Sequence, residues 1–271
     1  MSKNFQIAAG TIIGKYHTRL GKNNQDAYYT FQSNSVTIAI VADGCGSGQN
    51  TEVGAKLGVK LLGEILVKKL AIYPQADFWS EVQQDLLELM QVLAVNMGDN
   101  LSQVVIDYFL FTLIGVIITE EITTIFSLGD GIIILNENIT QLGPFPNNAP
   151  PYFAYNLIPN YQQYDFKINH QLPTDQVQSI LIGTDGVEDL ILSKEKKLPG
   201  QEELVGDINQ FWQEDIYFQN PDMIRRKLSL INTDITQGNW LNQELIKSTG
   251  LLSDDTTLIV IKKIDKLMDN G

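Results

Sequence analysis

The chain has 271 residues, 44% of them hydrophobic, and its 19 basic and 32 acidic residues leave a net charge of −13. This apolar content is enough for one sizeable core, and no Pro-, Ser- or Gly-rich linker interrupts the chain, so we expect a single domain over residues 1–271. An acidic surface should repel nucleic acid and anionic membranes, and no apolar run reaches the roughly 18 residues of a membrane span. The single cysteine cannot form an internal disulfide, which fits a reducing cytoplasm.

The first part of the chain is predicted to contain one buried strand and two long helices. Residues 36–42, "VTIAIVA", form a short apolar run rich in β-branched residues, which is typical of a buried strand. Residues 52–70 place apolar side chains at helical spacing, and Lys68 and Lys69 in the last turn suit a helix C-terminus. Residues 78–97 have the pattern of a second amphipathic helix.

Strands dominate the second part. Residues 111–136 predict a meander of three strands (111–119, 122–128 and 131–136), and two further strands are expected at 176–184 and 256–263. The Pro- and Asn-rich residues 143–160 predict a loop whose aromatic side chains pack down. Residues 202–250 are expected to be mostly helical. Strands with helix pairs inserted between them favour an α+β fold with antiparallel sheets over a regular parallel α/β fold.

Aspartates stand at the ends of several predicted strands. Three Asp-Gly pairs occur, and each could be a hairpin turn, which requires a strand on both sides. That condition is met at Asp130, where a turn and another role stay open. It fails at Asp43 and Asp185, because no strand follows either of them. Asp254 and Asp255 stand just before the last strand.

Carboxylates brought together repel one another, and a divalent cation removes this repulsion. Oxygen ligands favour Mg²⁺ or Mn²⁺ over zinc, and the glycine after Asp43 would let the Gly44 carbonyl coordinate as well. Two such ions can activate a water molecule as a nucleophile. The alternative is that these aspartates are scattered on the surface without a shared role.

Other chemistries find less support. A cysteine-dependent phosphatase needs an arginine six positions after the nucleophile, and after Cys45 that position is Thr51. Cys45 is therefore interpreted as a small buried residue or a neighbour of the site. Gln49 stands where a dinucleotide-binding G-x-G-x-x-G loop needs its last glycine. Only two histidines are present, which disfavours Ser-His-Asp catalysis, and His170 is interpreted as a surface residue.

Five short motifs in this order resemble the metal-dependent protein phosphatases, the type 2C Ser/Thr phosphatase family, and most closely its bacterial branch. The resemblance covers about residues 8 to 263. The motifs are "NNQDAYY" (23–29), "VADGCGSG" (41–48), "SLGDG" (127–131), "IGTDGVED" (182–189) and "SDDTTLIVI" (253–261).

The resemblance implies a four-layer α-β-β-α sandwich, in which helix pairs flank two antiparallel sheets, with a binuclear Mg²⁺ or Mn²⁺ centre between the sheets. It implies that Asp43 bridges two ions, that the Gly44 carbonyl binds one of them, and that Asp185 and Asp254 complete the shell of the other. Asp26 matches the acid that binds metal-bound water. The bridging water or hydroxide would attack the phosphorus in line, without a phosphoenzyme.

The sequence departs from the family pattern in three places. Gln25 stands where many members have Glu, and Asp255 replaces a common Asn and adds charge near the site. Gly21 occupies the position of the usual phosphate-binding arginine. The stretch resembles the bacterial branch, in which His17 and Arg19 would contact phosphate. If this stretch is extended, residues 17 and 19 share one face; the alternative is a cation pair on the surface.

These features together predict a metal-dependent Ser/Thr protein phosphatase. The expected partners are a phosphorylated protein substrate and a cognate Ser/Thr kinase, with no nucleic acid or membrane, and a monomer is expected. The alternative is a non-catalytic member of the fold that serves as a binding or regulatory module. The position of Arg19 and the presence of Asp255 keep that alternative open.

Overall fold

The computed structural model describes residues 4–71, 77–240 and 242–264. Within these ranges the strands are β1 (Phe5–Ile12), β2 (Ala27–Gln32), β3 (Thr37–Ala42), β4 (Leu113–Ile118), β5 (Ile122–Leu128), β6 (Gly131–Leu135), β7 (Asn138–Leu142), β8 (Lys167–Pro173), β9 (Ser179–Gly183), β10 (Ile235–Asn239), β11 (Glu244–Ser248) and β12 (Thr256–Lys263). The helices are α1 (Lys15–Leu20), α2 (Thr51–Leu70), α3 (Phe78–Met97), α4 (Leu101–Tyr108), α5 (Val187–Leu192), α6 (Gln210–Gln213), α7 (Ile216–Gln219) and α8 (Met223–Asn232). None of the helices among the described residues combines the length and apolar character needed to cross a bilayer.

The strands form two five-stranded antiparallel sheets and one separate hairpin. The first sheet has the order β1-β12-β9-β6-β7 and the second β2-β3-β4-β5-β8, while β10 and β11, among the described residues, pair only with each other. Every strand pairing in the large sheets is antiparallel. The predicted α+β class is confirmed.

Three apolar clusters separate four layers. One lies between the two sheets and takes side chains such as Ala39 and Val41 from the second sheet and Ile182 and Ile259 from the first. A second cluster packs α2, α3 and α4 on the outer face of the second sheet. A third packs α5 and α8 on the outer face of the first sheet. The arrangement is the predicted α-β-β-α sandwich.

Most predicted elements lie within a few residues of their predicted bounds. The strand at 36–42 is β3, and the two long helices are α2 and α3. The loop at 143–160 does pack down, because Tyr152, Phe153 and Leu157 are buried in the cluster beneath α3.

Two predictions about these elements were wrong. The meander breaks at Gly129–Gly131, because β5 and β6 belong to different sheets and the chain crosses between them there instead of making a hairpin turn. Gly129 and Gly131 permit this crossing with φ values of 99° and 130°, which other residues rarely adopt. The region 202–250 is less helical than predicted and contains the β10–β11 hairpin.

The stretch that carries His17 and Arg19 is the helix α1 and not an extended strand, so that expectation was also wrong. The helix is anchored by the rest of the molecule, since the amides of Lys15 and Tyr16 donate to the carbonyls of Leu252 and Ser253, both at 3.0 Å. Tertiary contacts therefore decide the local conformation of a segment whose own helix propensity is modest.

Candidate metal centre

A cavity of about 260 Å³ lies where strand ends of the two large sheets meet. Asp43 follows β3, and Asp130 sits on the crossing from β5 to β6. Asp185 follows β9, and Asp254 precedes β12, which is the antiparallel neighbour of β9. All four acids line the cavity. The fold thus brings together carboxylates that lie up to 211 positions apart in the chain (254 − 43 = 211).

Asp26 lies beneath this cavity, immediately before β2, whose first residue pairs with the last residue of β3. Its side chain is 2% exposed, and its Oδ2 accepts a hydrogen bond of 2.7 Å from the Thr184 hydroxyl. The negative charges of Asp26, Asp185, Asp254 and Asp130 all act on Asp43. The structure therefore brings the predicted metal-binding acids into one cluster and adds Asp130 to it.

Three buried side-chain oxygens in this cluster have no hydrogen-bond partner. They are Gln25 Oε1, Asp26 Oδ1 and Asp185 Oδ1, and across the described ranges they are the buried side-chain nitrogen or oxygen atoms that lack one. Buried polar atoms are normally paired, because leaving one unpaired costs about 1–3 kcal/mol. Oxygens that accept and lack a donor are suited to a hard divalent cation such as Mg²⁺ or Mn²⁺.

The same crowding changes the acidity of the carboxyl groups. Burial, and then the negative charge of Asp26, raises the pKa of Asp43 well above its usual range. Burial, followed by the charge of Asp254, raises the pKa of Asp185 to about 6. Burial and the charge of Asp255 likewise raise the pKa of Asp26. Without a counterion, burial and mutual repulsion favour the protonated forms of these carboxyl groups in the folded protein.

Gly44 occupies a position that admits no side chain. Its amide donates to the Gln25 carbonyl at 3.2 Å. A Cβ atom here would lie 2.8 Å from that carbonyl oxygen and 2.9 Å from Thr51 Oγ1. Gly44 lines the cavity, and its coordination of a metal through the carbonyl stays a prediction.

Asp255 has a different environment from the cavity acids. It is 2% exposed, and both of its oxygens are occupied. Oδ1 accepts from the Gly14 amide at 2.6 Å, while Oδ2 accepts from the Gln25 amide at 2.6 Å and lies 2.8 Å from His17 Nδ1. We call these four residues, Gly14, His17, Gln25 and Asp255, the Asp255 cluster.

The Asp255 cluster joins α1, the approach to β2 and the approach to β12 behind the cavity. His17 is 5% exposed, lines the cavity, and has one ring nitrogen occupied by Asp255. His17, Asp254 and Asp255 each place a possible ligand atom within 4.8 Å of the others. Since both Asp255 oxygens are already engaged, the charge of Asp255 serves to hold these segments together.

Arg19 lies on another side of α1. Successive helical positions are about 100° apart, so residues 17 and 19 point in different directions, and the expectation that they share a face was wrong. Arg19 is exposed and acts on Asp234, whose pKa is lowered first by its hydrogen bond with Lys15 and further by the charge of Arg19. The structure does not bring Arg19 together with His17, and phosphate contact by either residue stays a prediction.

Tyr152 is a cavity residue that sequence analysis did not single out. It lines the cavity beside Cys45 and is 6% exposed. Burial of the Cys45 thiol would raise its pKa, but hydrogen bonds involving Ser47 and Tyr152 outweigh this and hold the pKa below its usual range. Of the two alternatives for Cys45, a small buried residue or a neighbour of the site, the structure shows a half-buried side chain that lines the cavity. The sequence feature that could have indicated Tyr152 is its place in the loop at 143–160, whose aromatic side chains were predicted to pack down.

Comparison with known proteins gives one family and a common fold. The family described as "Protein phosphatase 2C" matches residues 13–220. None of the curated proteins compared with the chain matches it at a significant level.

Similar solved structures include the catalytic domain of the serine threonine protein phosphatase PstP in complex with two manganese ions, at 13% identity and a TM-score of 0.52, covering 96% of this chain and 99% of that one. Serine/threonine phosphatase Stp1 from Staphylococcus aureus is similar at 11% identity and a TM-score of 0.53, with coverages of 96% and 95%. A sex-determining protein of C. elegans has a TM-score of 0.55 at 11% identity, with coverages of 96% and 65%. At these identities the likeness establishes the fold.

Proposed function

Because the chain belongs to the protein phosphatase 2C family, we propose that it is a metal-dependent Ser/Thr protein phosphatase that hydrolyses phosphoserine and phosphothreonine monoesters. The observation that carries the proposal is the set of partnerless buried oxygens on Gln25, Asp26 and Asp185 beside the acids that line the cavity. An acidic cleft left without a cation would repel a phosphate dianion, whereas the same cleft loaded with divalent ions would attract it.

The donor set fits two Mg²⁺ or Mn²⁺ ions. Asp43, the Gly44 carbonyl, Asp185 and Asp254 would hold these ions. When bound, the ions would neutralise the carboxylates, polarise the phosphoryl group and lower the pKa of a water molecule so that it acts as the nucleophile. Asp26, whose Oδ1 has no donor, would orient that water.

The remaining residues of the site hold these ligands in position. Thr184 donates to Asp26 Oδ2, which leaves Oδ1 as the free oxygen of that carboxylate. The Asp255 cluster fixes the segments that carry Gln25 and Asp254, because Asp255 bonds the Gln25 amide and adjoins Asp254 in the chain. A fixed ligand shell lowers the reorganisation that catalysis would otherwise require.

The substrate in this proposal is a phosphorylated protein, and a Ser/Thr kinase would supply it. PstP and Stp1, which share the fold, are described as serine/threonine phosphatases, and this supports the assignment. Because the nucleophile is water, Cys45 takes no part in bond making, although it lines the cavity.

The test is hydrolysis of p-nitrophenyl phosphate by metal-stripped protein. We expect turnover after addition of Mn²⁺ or Mg²⁺ and none in excess chelator, with Cys45→Ser retaining most of the wild-type rate. Turnover that persists in chelator would refute the metal-dependent mechanism. Metal binding by calorimetry without any turnover would identify a non-catalytic binding module instead.

A further inference from the structure

The β10–β11 hairpin stands apart from the two large sheets and lies beyond residues 13–220, which the family match covers. One of its faces packs on the molecule. The Gln237 side chain donates to the Gly200 carbonyl at 3.1 Å, and a Cβ atom on Gly200 would lie 2.9 Å from Ile235. Ile235 and Gln237 therefore mark the inner face of the hairpin.

The outer face carries two large apolar side chains. Gly238 is paired with Leu245 across the strands, so the two residues belong to the same face. A Cβ atom on Gly238 would lie 3.6 Å from the ring of Trp240, which places that ring over the glycine and next to Leu245. Trp240 is 91% exposed and Leu245 is 70% exposed. We call Trp240 and Leu245 the hairpin patch.

An exposed tryptophan beside an exposed leucine is unfavourable in water and favours a partner that covers both. Tryptophan is also among the residue types most often found at the energetic centre of protein interfaces. The patch consists of two side chains on one face of a short hairpin, so its natural occupant is a short apolar segment.

The base of the hairpin is fixed to the wall of the metal cavity. Asp234, immediately before β10, forms an ion pair with Lys15 and accepts a hydrogen bond of 2.8 Å from the Gly250 amide. Asn232 donates to the Ile13 carbonyl at 2.8 Å. These contacts tie the hairpin to α1, whose residues at positions 16 and 17 line the cavity. The base of the hairpin and the candidate metal centre therefore both adjoin the same short helix.

The path between them is basic in an otherwise acidic protein. The exposed Arg19 lies on α1, and Lys22 follows it and donates to the carbonyl of the cavity residue Gly46 at 2.8 Å, while the charge of Lys15 is offset by its ion pair with Asp234. The chain as a whole carries a charge of −13, so this rim is a local site of attraction for a phosphorylated segment. Charge complementarity thus favours the phosphoprotein substrate as the occupant over a second copy of this acidic chain.

We infer that the hairpin patch is a docking surface for an apolar residue of the phosphoprotein substrate, which reaches it from the phosphorylated residue held at the cavity by passing over α1. The inference rests on the proposed phosphatase function. It adds a substrate preference to that function, namely phosphorylation sites with an apolar residue at a defined spacing on one side.

The test uses a set of fluorescein-labelled peptides that carry a non-hydrolysable phosphonate analogue of phosphothreonine in a polar background. A Leu-Leu pair is moved stepwise along either side of the phosphonate, and dissociation constants are measured by fluorescence anisotropy with saturating Mn²⁺. We expect one spacing to bind about tenfold more tightly than the peptide without the pair. Trp240→Ala and Leu245→Ser should each remove this gain.

Val92→Ala is the matched control, because Val92 is an apolar side chain with 58% exposure on α3, which packs on the other sheet. It should keep the preference for the apolar pair. All three variants should hydrolyse p-nitrophenyl phosphate at the wild-type rate, since that substrate is too small to extend from the cavity to the hairpin. Thermal melts confirm that each variant folds.

The inference is overturned if no spacing improves binding, or if the gain survives in both patch variants. If the wild-type protein selects the apolar peptides but never hydrolyses p-nitrophenyl phosphate, the proposed function fails while the docking surface stands. Sedimentation velocity tests the other possible occupant, a second copy of this chain. A wild-type dimer that becomes a monomer in Trp240→Ala would identify the patch as a self-association surface and refute substrate docking.

Discussion

Asp254 and Asp255 are neighbours in the chain but belong to two different regions of the molecule. Asp254 lines the cavity with Asp43 and Asp185, where buried oxygens lack donors and carboxyl pKa values are raised. Asp255 lies behind the cavity and is fully paired with two backbone amides and His17. The cavity acids have surroundings suited to metal ligands, whereas the Asp255 cluster links α1 to the segments before β2 and β12.

The difference shows that negative charge alone does not mark a metal ligand. Asp26 beneath the cavity and Asp255 are both 2% exposed, but Asp26 keeps one oxygen without a donor, whereas both oxygens of Asp255 have one. Where the fold supplies N–H groups, the carboxylate stabilises the fold itself. Where the fold supplies no N–H donor, the carboxylate remains able to bind a cation, and the protein is less stable when that cation is absent.

The largest effect should follow from a change among the cavity acids. Asp43→Asn removes one negative charge from the proposed bridging position, and we expect kcat for p-nitrophenyl phosphate to fall by several orders of magnitude at saturating Mn²⁺. The melting temperature of the metal-free variant should equal or exceed that of the wild type, since a repelling charge is lost. Asp207→Asn is the control, because Asp207 is an exposed acid whose ion pair with Lys194 is 4.0 Å long. A fall in kcat of less than tenfold in Asp43→Asn would contradict the assignment.

The Asp255 cluster should respond in stability. Asp255→Ala leaves His17 and two buried amides without their acceptor, which should lower the free energy of unfolding by about 3–5 kcal/mol, because each buried donor left unpaired costs about 1–3 kcal/mol. Asp254→Ala, one position away, should change it by about 0.5 kcal/mol or less in the metal-free protein, since in the described part of the chain this exposed side chain has no hydrogen-bond partner beyond its neighbour's amide. Urea denaturation measures both. Equal losses of unfolding free energy in the two variants would contradict the distinction between the cavity acids and the Asp255 cluster.

The pH dependence of stability should also separate the regions. The pKa of Asp185 is raised to about 6 in the folded protein, so the folded state binds this proton more tightly than the unfolded chain does. The associated stability is fully present below the unfolded pKa of about 4 and is lost as the pH rises through 6. The metal-free protein should therefore melt at a higher temperature at about pH 5 than at about pH 7.5.

Two measurements check this origin of the pH dependence. Asp185→Asn should reduce the slope of the metal-free profile but leave the part that comes from Asp43 and Asp26, whose pKa values are also raised, while Asp207→Asn should leave the slope unchanged. Saturating Mn²⁺ should stabilise the wild type more at about pH 7.5 than at about pH 5, because cation and proton compete for the same carboxylates. A wild-type slope that survives in Asp185→Asn would assign the titration to other groups.

The smallest effect is expected for Arg19, the predicted phosphate contact that faces away from His17. An exposed cation at the rim attracts substrate through screened charge, so Arg19→Ala should raise KM for a phosphopeptide about two- to threefold at low salt and change it little at about 0.5 M salt. Its melting temperature should not change, whereas His17→Ala should lower it by removing a member of the Asp255 cluster. A tenfold rise in KM that persists at high salt would instead support direct binding of phosphate by Arg19.

Local patterns were sufficient for the elements that the chain forms by itself. The β-branched run of β3 and the helical spacing in α2 and α3 predicted their type and approximate bounds. The strands β1, β2, β7 and β8 were not predicted, because their alternation of buried and exposed residues is irregular or their burial is slight. For these strands, pairing with a neighbour stabilises a conformation that the local pattern leaves open.

The sequence by itself determined the class of the fold, the apolar core elements and the aspartates that follow or precede buried strands. It could do so because hydrophobic periodicity, and an aspartate at the end of an apolar run, can be recognised from residues that are adjacent in the chain. Only the tertiary structure decided that Asp130 crosses between sheets into the cavity, that α1 is helical, and that Asp255 is buried with both oxygens engaged while Asp254 is exposed at the cavity. Each of these depends on contacts between segments far apart in the chain, and such contacts set which donors surround a given carboxylate.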